Sequence, residues 1–285
     1  MQKRLPVVLA ATATLVLLVP AAARAAQGTF DRTLHVSGAV MLSVHTGSGY
    51  IHVTPGAGNE VHIVGHVQAN GWGMGPSAEE RVQRVVNNPP IQQDGNIVTI
   101  GGHEDWLNNV SIDYDITAPR GSQLEASTGS GDLRLAGLGS SLKASTGSGD
   151  IQASGFTGHV ELQSGSGDIH ADLQSANDVN AHSGSGTIQI SGVNGSLFAQ
   201  TGSGDIEITG RPSADWQLHT GSGDVTLNVG NAPFTLDAST GSGDISSDPA
   251  ISTHGGLGHH HIAGEVNGGG PTVRVETGSG DIRIH

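Results

Sequence analysis

The sequence contains no cysteine, and aromatic residues make up only 3% of it. Without thiols the chain has no disulfides and no cysteine to which a lipid could be attached. An exported protein of this composition is held together by packing and backbone pairing alone. Because large aromatic side chains are so scarce, we expect a thin core shared along the chain and not one thick core.

Cationic side chains are also scarce. The chain has 12 Lys and Arg residues against 26 Asp and Glu residues, a formal net charge of −14. A surface with this excess of negative charge repels nucleic acids and anionic lipids. Nucleic-acid binding is therefore excluded as a function, and high solubility is expected.

Long apolar runs are absent except at the N-terminus. Lys3 and Arg4 precede an apolar run over residues 5–19, and Ala23-Arg24-Ala25 follows with the spacing of a cleavage site. This pattern predicts a signal peptide over residues 1–25, with an uncleaved anchor as the alternative. No later run approaches the roughly 20 residues that span a bilayer. We expect export to the periplasm, cell surface or medium, and no integral membrane span in the mature chain.

Glycine is abundant, with 45 residues, and much of it belongs to one repeated turn. TGSGD occurs six times, beginning at Thr128, Thr146, Thr201, Thr220, Thr240 and Thr277, and variants begin at Thr46, Ser164 and Ser183. Between residues 129 and 241 the first glycines of successive turns lie 18 to 20 residues apart. A fixed spacing of this size is typical of solenoid proteins.

Apolar and polar residues alternate on both sides of each turn. Before the second TGSGD, Leu142, Ala144 and Thr146 alternate with Lys143 and Ser145. Such alternation predicts a short strand with one face inward on each side of the turn. The predicted fold class is an all-β β-solenoid of about 18–19 residues per coil with two short strands per coil. A meander of hairpins is the alternative.

The repeated glycines are predicted to be structural turn residues, because glycine adopts positive φ angles that other residues resist. The preceding Thr would face inward and satisfy backbone groups with its hydroxyl, and the following Asp would face outward. The predicted turn glycines are Gly129, Gly131, Gly147, Gly149, Gly165, Gly167, Gly184, Gly186, Gly202, Gly204, Gly221, Gly223, Gly241, Gly243, Gly278 and Gly280.

The chain before the regular repeats has a different pattern. We predict an N-terminal β portion over residues 26–120 that caps the solenoid, with one short helix near 77–87. Ser77 and Glu80 have the spacing of a capping box at the start of that helix. Residues 121–285 are predicted to form the solenoid repeats, with an irregular insertion near 248–270 and a terminal coil near 271–285.

Three segments carry a resemblance to a known family: VHTGSGYIHVTPG, VSIDYDITAPRGSQLEASTGSGDL and NGGGPTVRVETGSGDIRI. Together with the serial TGSGD turns they resemble a bacterial family of exported β-strand-repeat proteins, usually labelled adhesins, whose function is unknown. The resemblance covers nearly the whole mature chain and implies a β-solenoid-like fold with no established activity. The histidine-rich segment THGGLGHHH departs from the family pattern.

Two groups of residues are candidates for metal binding. The repeated aspartates form a column, represented by Asp132, Asp150 and Asp168, but the opposite turns lack carboxylates and a calcium site needs six to eight oxygens. Within the histidine-rich segment, His254, His259 and His261 are candidate ligands for a transition metal. An incidental loop cluster is the competing interpretation. We favour no metal and expect no cofactor.

The serines of the repeats do not indicate an enzyme. Nucleophilic catalysis requires a Ser beside an orienting base, and no helix follows any GSG as in a nucleophile elbow. The outward columns mix polar residue types without a convergent set of acids and bases. We therefore expect a non-enzymatic protein that presents an extended polar surface to a glycan or an envelope protein. The alternative is a cation-binding module, and the sequence indicates no oligomeric state.

Overall fold

The computed structural model describes residues 25–70, 76–102, 108–253 and 260–285. The predicted signal peptide lies almost wholly outside the described residues. Within them 64% of the residues lie in β-strands, and the one helix is α1 (Ala78–Asn87). The predicted all-β class is confirmed. No helix in this part of the chain has both the length and the apolar character that crossing a membrane requires.

The strands follow one another closely along the chain. The N-terminal region contains β1 (Ala26–His35), β2 (Met41–Ser48), β3 (Ile51–Gly56), β4 (Glu60–Ala69), β5 (Ile91–Asp94), β6 (Ile97–Ile100) and β7 (Val110–Pro119). The middle contains β8 (Ser122–Ser130), β9 (Leu133–Ala136), β10 (Gly139–Thr146), β11 (Ile151–Ser154), β12 (His159–Ser164), β13 (Ile169–Ser183), β14 (Ile188–Ser203), β15 (Ile206–Gly210), β16 (Trp216–Ser222) and β17 (Val225–Asn228). The C-terminal region contains β18 (Phe234–Thr240), β19 (Ile245–Ser247), β20 (Ile251–Thr253), β21 (His261–Val266), β22 (Thr272–Thr277) and β23 (Ile282–Ile284).

Successive repeats pair in parallel, one repeat apart. Leu142 of β10 is in register with Leu124 of β8 on one side and with Val160 of β12 on the other. The strands that follow the turns pair in the same way, so β11 lies between β9 and β13. Hairpins would pair antiparallel. The repeats are therefore stacked coils, each consisting of the two strands that flank one GSG turn, and not a meander.

Each coil has two faces and two corners. The front face is made of the strands before the GSG turns, and the back face is made of the strands after them. We call the GSG turn the GSG corner and the opposite connection the variable corner. Inward residues of both faces form the buried core, as Leu142 and Ala144 do on the front face and Ile151 and Ala153 on the back.

The stack begins earlier than residue 121. Strand β2 pairs in parallel with β8, and β3 pairs with β9, so residues 41–56 form a coil although they precede the predicted boundary at residue 120. Beyond this coil lie β6, parallel to β2, and β7, parallel to β3. Strand β4 then joins β7 to β1 in antiparallel pairings. The capping elements are therefore β1, β4, α1, β5, β6 and β7, while residues 41–56 belong to the stack itself.

Helix α1 covers part of the capping elements. Ser77 is its N-cap, and the Ser77 and Glu80 side chains form the predicted capping box. Its buried residues include Val82 and Val85. Val82 also lies so close to Gly28 of β1 that a Cβ there would be 2.6 Å from a Val82 methyl group. The helix therefore packs its apolar side directly on the strand.

The coil order at the C-terminal end differs from the sequence order. Strand β22 lies between β16 and β18, and β23 lies between β17 and β19. The coil of residues 272–284 is therefore inserted inside the stack, and the coil of residues 234–247 is the outermost one. The region predicted to be an irregular insertion contains β20 and β21. Strand β21 pairs antiparallel with β18, and β20 pairs antiparallel with β21.

Candidate binding surface

The predicted turn glycines all lie at the GSG corners, where the coils approach each other closely. A Cβ atom on Gly184 would lie 2.3 Å from the carbonyl oxygen of Gly165, and one on Gly186 would lie 2.1 Å from that of Gly167. Positive φ angles occur at some corner glycines, such as Gly131 at 153°, but not at Gly184. Close stacking, more than the φ angle, is therefore the general reason for glycine at these positions.

The inward Thr or Ser of each GSG corner bonds to the neighbouring coil. The Thr146 hydroxyl donates to the carbonyl oxygen of Gly131 at 3.1 Å, and the Thr201 hydroxyl donates to that of Gly186 at 2.9 Å. The same bond is made by Thr128, Ser164, Ser183, Thr220, Thr240 and Thr277. These side chains are buried. The predicted role of the inward hydroxyl is confirmed.

The aspartates that end the motif form a second ladder. The amide of Asp150 donates to Oδ1 of Asp132 at 3.2 Å, and the amide of Asp168 donates to Oδ1 of Asp150 at 2.9 Å. The amide of Thr187 donates to Oδ1 of Asp168 at 2.8 Å. Each of these three candidate calcium ligands thus uses one oxygen to join adjacent coils. In the described ranges no group of three or more histidine or acidic side chains is arranged to hold a metal ion.

The histidine candidates are only partly described. His254 and His259 lie outside the described residues. His261 lies on β21, where its Nε2 is 3.1 Å from Oδ1 of Asp237 on β18. Both side chains are exposed to solvent, so this is a surface ion pair when the imidazole is protonated.

On the back face, polar side chains are linked along the stack. His170 Nδ1 is 2.9 Å from Gln189 Oε1, and Gln189 Nε2 donates to Glu207 at 3.2 Å. The Ser191 hydroxyl donates to Asp172 at 2.8 Å, and this bond, with a further one from His170, holds the pKa of Asp172 below its usual range. The Ser191 hydroxyl thus donates to the carboxylate and not to the imidazole.

A second polar cluster lies where the first coil meets the capping strands. Tyr50 stands where most other corners have Asp, and its backbone amide donates to Asp113 at 3.0 Å. The Tyr50 hydroxyl donates to Asp115 at 3.0 Å, and His52 and His66 lie 3.1 and 3.5 Å from the same carboxylate. Burial, followed by the bond to Asp115, raises the pKa of Tyr50 to about 12. The phenol is therefore a neutral hydrogen-bond donor in the physiological pH range.

Sequence reasoning did not find this cluster. His66 and Asp115 come from β4 and β7, which are distant from Tyr50 in the sequence and reach it only through the pairing of the capping strands. The single local signal was the replacement of the corner Asp by Tyr in TGSGY.

The centre of the front face differs from the back face. Phe198 of β14 is 38% exposed, and it is in register with Asn180 of β13 and Gln217 of β16. We define the front patch as the outward residues Gln163, Asn180, His182, Phe198, Gln200 and Gln217. Charged pairs lie on either side of it along the stack, namely Lys143 with Glu161 and Arg274 with Asp237.

The fold and these surfaces can now be compared with known proteins. A family model described as Toastrack DUF4097 matches residues 92–285, which is more than half of the chain. The chain belongs to the Toastrack family. No curated protein is similar enough in sequence to count as a relative.

Solved structures resemble this Toastrack chain along most of its length. A candidate cell adhesion protein of Clostridium sporogenes is 14% identical, with 91% of this chain and 99% of that chain covered and a TM-score of 0.30. A candidate adhesin of Bacteroides fragilis is 13% identical, with 90% and 97% covered and a TM-score of 0.43. A candidate lipid binding protein of Parabacteroides distasonis is 10% identical, with 90% and 96% covered and a TM-score of 0.43.

Proposed function

We propose that this Toastrack protein is exported and non-enzymatic, and that its β-solenoid presents an extended polar surface to a glycan or an envelope protein. The observation that carries the proposal is the register of the stack. Residues such as Asn180, Phe198 and Gln217 occupy the same position in consecutive coils, so their side chains form continuous outward rows. Adjacent strands lie about 4.8 Å apart, so successive side chains within a row are separated by about that distance.

The two corner ladders make this surface rigid. Hydroxyl bonds such as Thr201 to Gly186 and carboxylate bonds such as Asp150 to Asp168 tie each coil to the next. A surface whose backbone is already fixed in position loses less conformational entropy when it binds an extended partner. The Toastrack stack is therefore suited to repeated weak contacts with a long ligand.

The charge of the chain restricts the partner. A net charge of −14 disfavours polyanions, including nucleic acids and acidic polysaccharides. A neutral polymer, or a protein with a basic surface, meets no such repulsion.

The polar clusters support a non-enzymatic function. On the back face the Ser191 hydroxyl is bound to Asp172, and at the cap the Tyr50 phenol is bound to Asp115. In both places the hydroxyl donates to a carboxylate that is also bonded to a histidine, so each carboxylate is held by at least two partners. These hydrogen bonds link side chains of neighbouring strands, which is a structural role.

Cation binding was the alternative drawn from the Asp column. The structural role of that column, in which Oδ1 of one Asp accepts the amide of the next coil, accounts for its repetition without a metal. Cation binding, at the Asp column or at the histidine cluster, remains the alternative function, and a saturable rise in melting temperature with one metal would support it.

Cosedimentation with isolated bacterial envelopes tests the proposed function. The purified protein is mixed with intact envelopes, envelopes digested with protease, and envelopes oxidised with periodate to destroy sugar rings. We expect saturable binding that one of the two treatments abolishes. The absence of saturable binding to every preparation would contradict the proposed function.

A further inference from the structure

The front patch carries no charged side chain other than the titratable His182, although it belongs to a strongly acidic protein. It consists of three glutamines, one asparagine, one histidine and one phenylalanine, all on the outward side of consecutive front strands. Asn180, Phe198 and Gln217 are exposed, and His182 and Gln200 are half-buried. The composition is therefore that of a neutral, amide-rich surface.

The amide groups of the front patch are available for a ligand. Within the described part of the chain, no side-chain hydrogen bond engages Gln163, Asn180, Gln200 or Gln217. On the back face, by contrast, Gln189 is bonded to both His170 and Glu207. Each primary amide offers two donors and one acceptor, which matches the combined donor and acceptor character of a sugar hydroxyl.

Phe198 supplies the apolar element of the patch. Among the described residues, three large hydrophobic side chains are exposed, namely Met41, Ile97 and Phe198. Of these three, Phe198 is aromatic. A single exposed apolar residue is ordinary on a protein surface. Here, however, amide side chains flank the ring on both neighbouring strands and two positions along its own strand. An apolar platform with a few polar groups around it is the usual composition of a small-molecule subsite.

Carboxylates border the patch and restrict the charge of its ligand. Asp178 lies two residues before Asn180 on the same strand and accepts hydrogen bonds from Ser196 and His159, which hold its pKa below the usual range. On another side Glu276 lies 3.7 Å from His219. Asp178 is therefore ionised at neutral pH, so an anionic polymer is repelled here and a neutral one is not.

From these observations we propose that the front patch binds a neutral glycan. One sugar ring packs against the face of Phe198, and its hydroxyl groups exchange hydrogen bonds with the flanking Asn180 and Gln217 amides. Gln163 and Gln200 extend the contact to further sugar units. This inference rests on the proposed function and specifies its partner as carbohydrate and not protein.

Binding to immobilised neutral polysaccharides tests the inference. The panel contains dextran, mannan, a β-glucan and chitin oligosaccharides, with alginate as the anionic comparison. We expect one or more neutral polymers to bind and alginate not to bind. Phe198→Ala should weaken that binding about tenfold or more, because it removes the stacking surface. Asn180→Ala should weaken it about fivefold, the equivalent of one hydrogen bond.

Two further variants serve as controls. Phe198→Tyr keeps the ring and should keep the affinity within about twofold. Gln152→Ala removes an exposed amide of the back face and should leave binding unchanged. Phe198 and Asn180 are exposed, so their variants should have the same melting temperature as the unaltered protein. Thermal melts by circular dichroism measure this.

Several outcomes would overturn the inference. These are no binding to any neutral polymer of the panel, equal binding to alginate, or equal loss of binding in Gln152→Ala. In the envelope assay, binding that Phe198→Ala retains, or that protease abolishes and periodate does not, rejects the glycan site and leaves the proposed function intact. The absence of any envelope binding by the unaltered protein rejects the proposed function itself.

Discussion

The GSG corner joins the front and back strands of one coil, whereas the variable corner joins the back strand of that coil to the front strand of the next. The two corners differ in sequence and geometry. At the GSG corner the motif recurs with nearly the same residues. At the variable corner the pairing register shifts between Gly139 and Ser141, between Asp172 and Asp178, and between Ser191 and Val193. The 19-residue coils therefore place their extra residue at the variable corner.

The difference follows from what fills each corner. The GSG corner is held by directional hydrogen bonds from buried hydroxyls and by backbone contacts too close for any side chain. The variable corner is filled by buried apolar side chains of different sizes, such as Leu138, Phe156 and Val193. Apolar contact is non-directional and tolerates a change of residue or length, whereas a hydrogen-bonded ladder requires the same geometry in every coil.

The largest effect is expected from adding a methyl group at a GSG corner. Gly184→Ala places a Cβ 2.3 Å from the carbonyl oxygen of Gly165, so the backbone of two coils must move apart. We expect the free energy of unfolding to fall by about 3 kcal/mol. Urea denaturation followed by circular dichroism measures this change.

Gly47→Ala is the matched control for that substitution. Gly47 occupies the same position of the motif in the first coil, but among the described residues nothing lies within 4 Å of its Cβ position. Neither glycine has a positive φ angle. The control should change stability by less than about 1 kcal/mol. Equal losses in the two variants would show that backbone conformation, and not coil contact, requires the glycine.

A smaller effect is expected from removing one hydroxyl of the ladder. Thr201→Val keeps the shape of a buried side chain and deletes its hydrogen bond to the Gly186 carbonyl oxygen. We expect a loss of about 1–2 kcal/mol. Thr226→Val, on the outward side of the back face, should stay within about 0.5 kcal/mol of the unaltered protein. If both variants unfold at the same urea concentration, the hydroxyl ladder does not stabilise the corner.

The smallest effect is expected at the aspartate ladder. Asp150→Ala removes the acceptor for the Asp168 amide and should cost about 1 kcal/mol, whereas Asp150→Asn keeps an acceptor oxygen and should be nearly neutral. Thermal melts with chelator and then with millimolar calcium should coincide for the unaltered protein. A saturable rise in melting temperature that Asp150→Asn abolishes would instead identify the column as a cation site.

Much of the regular structure could be predicted because it is local. The alternation around Leu142, the inward hydroxyl of Thr146 and the capping box of Ser77 each depend on neighbouring residues and on one pairing rule. The reason for glycine at the corner was only partly predicted, because the close approach of the Gly184 and Gly165 backbones depends on how tightly the coils stack.

The order of the coils could not be predicted from the repeat pattern. Since every coil presents nearly the same edge, the repeat pattern does not indicate which coil pairs with which. Residues 41–56 pair across an interval of about 80 residues, and residues 272–284 enter between two coils that precede them. The front patch depends on the same stacking, because Asn180, Phe198 and Gln217 become neighbours only when three coils are in register.

The coil of residues 272–284 connects two coils that precede it in the sequence and that do not pair with each other directly. Until residues 272–284 are in place, the coil that ends at Asn228 and the coil that begins at Phe234 face each other across a missing layer, with the edges of four strands unpaired there. Deletion of residues 272–284 would therefore remove a layer from the interior of the stack and leave β18 and β19 without their parallel partners.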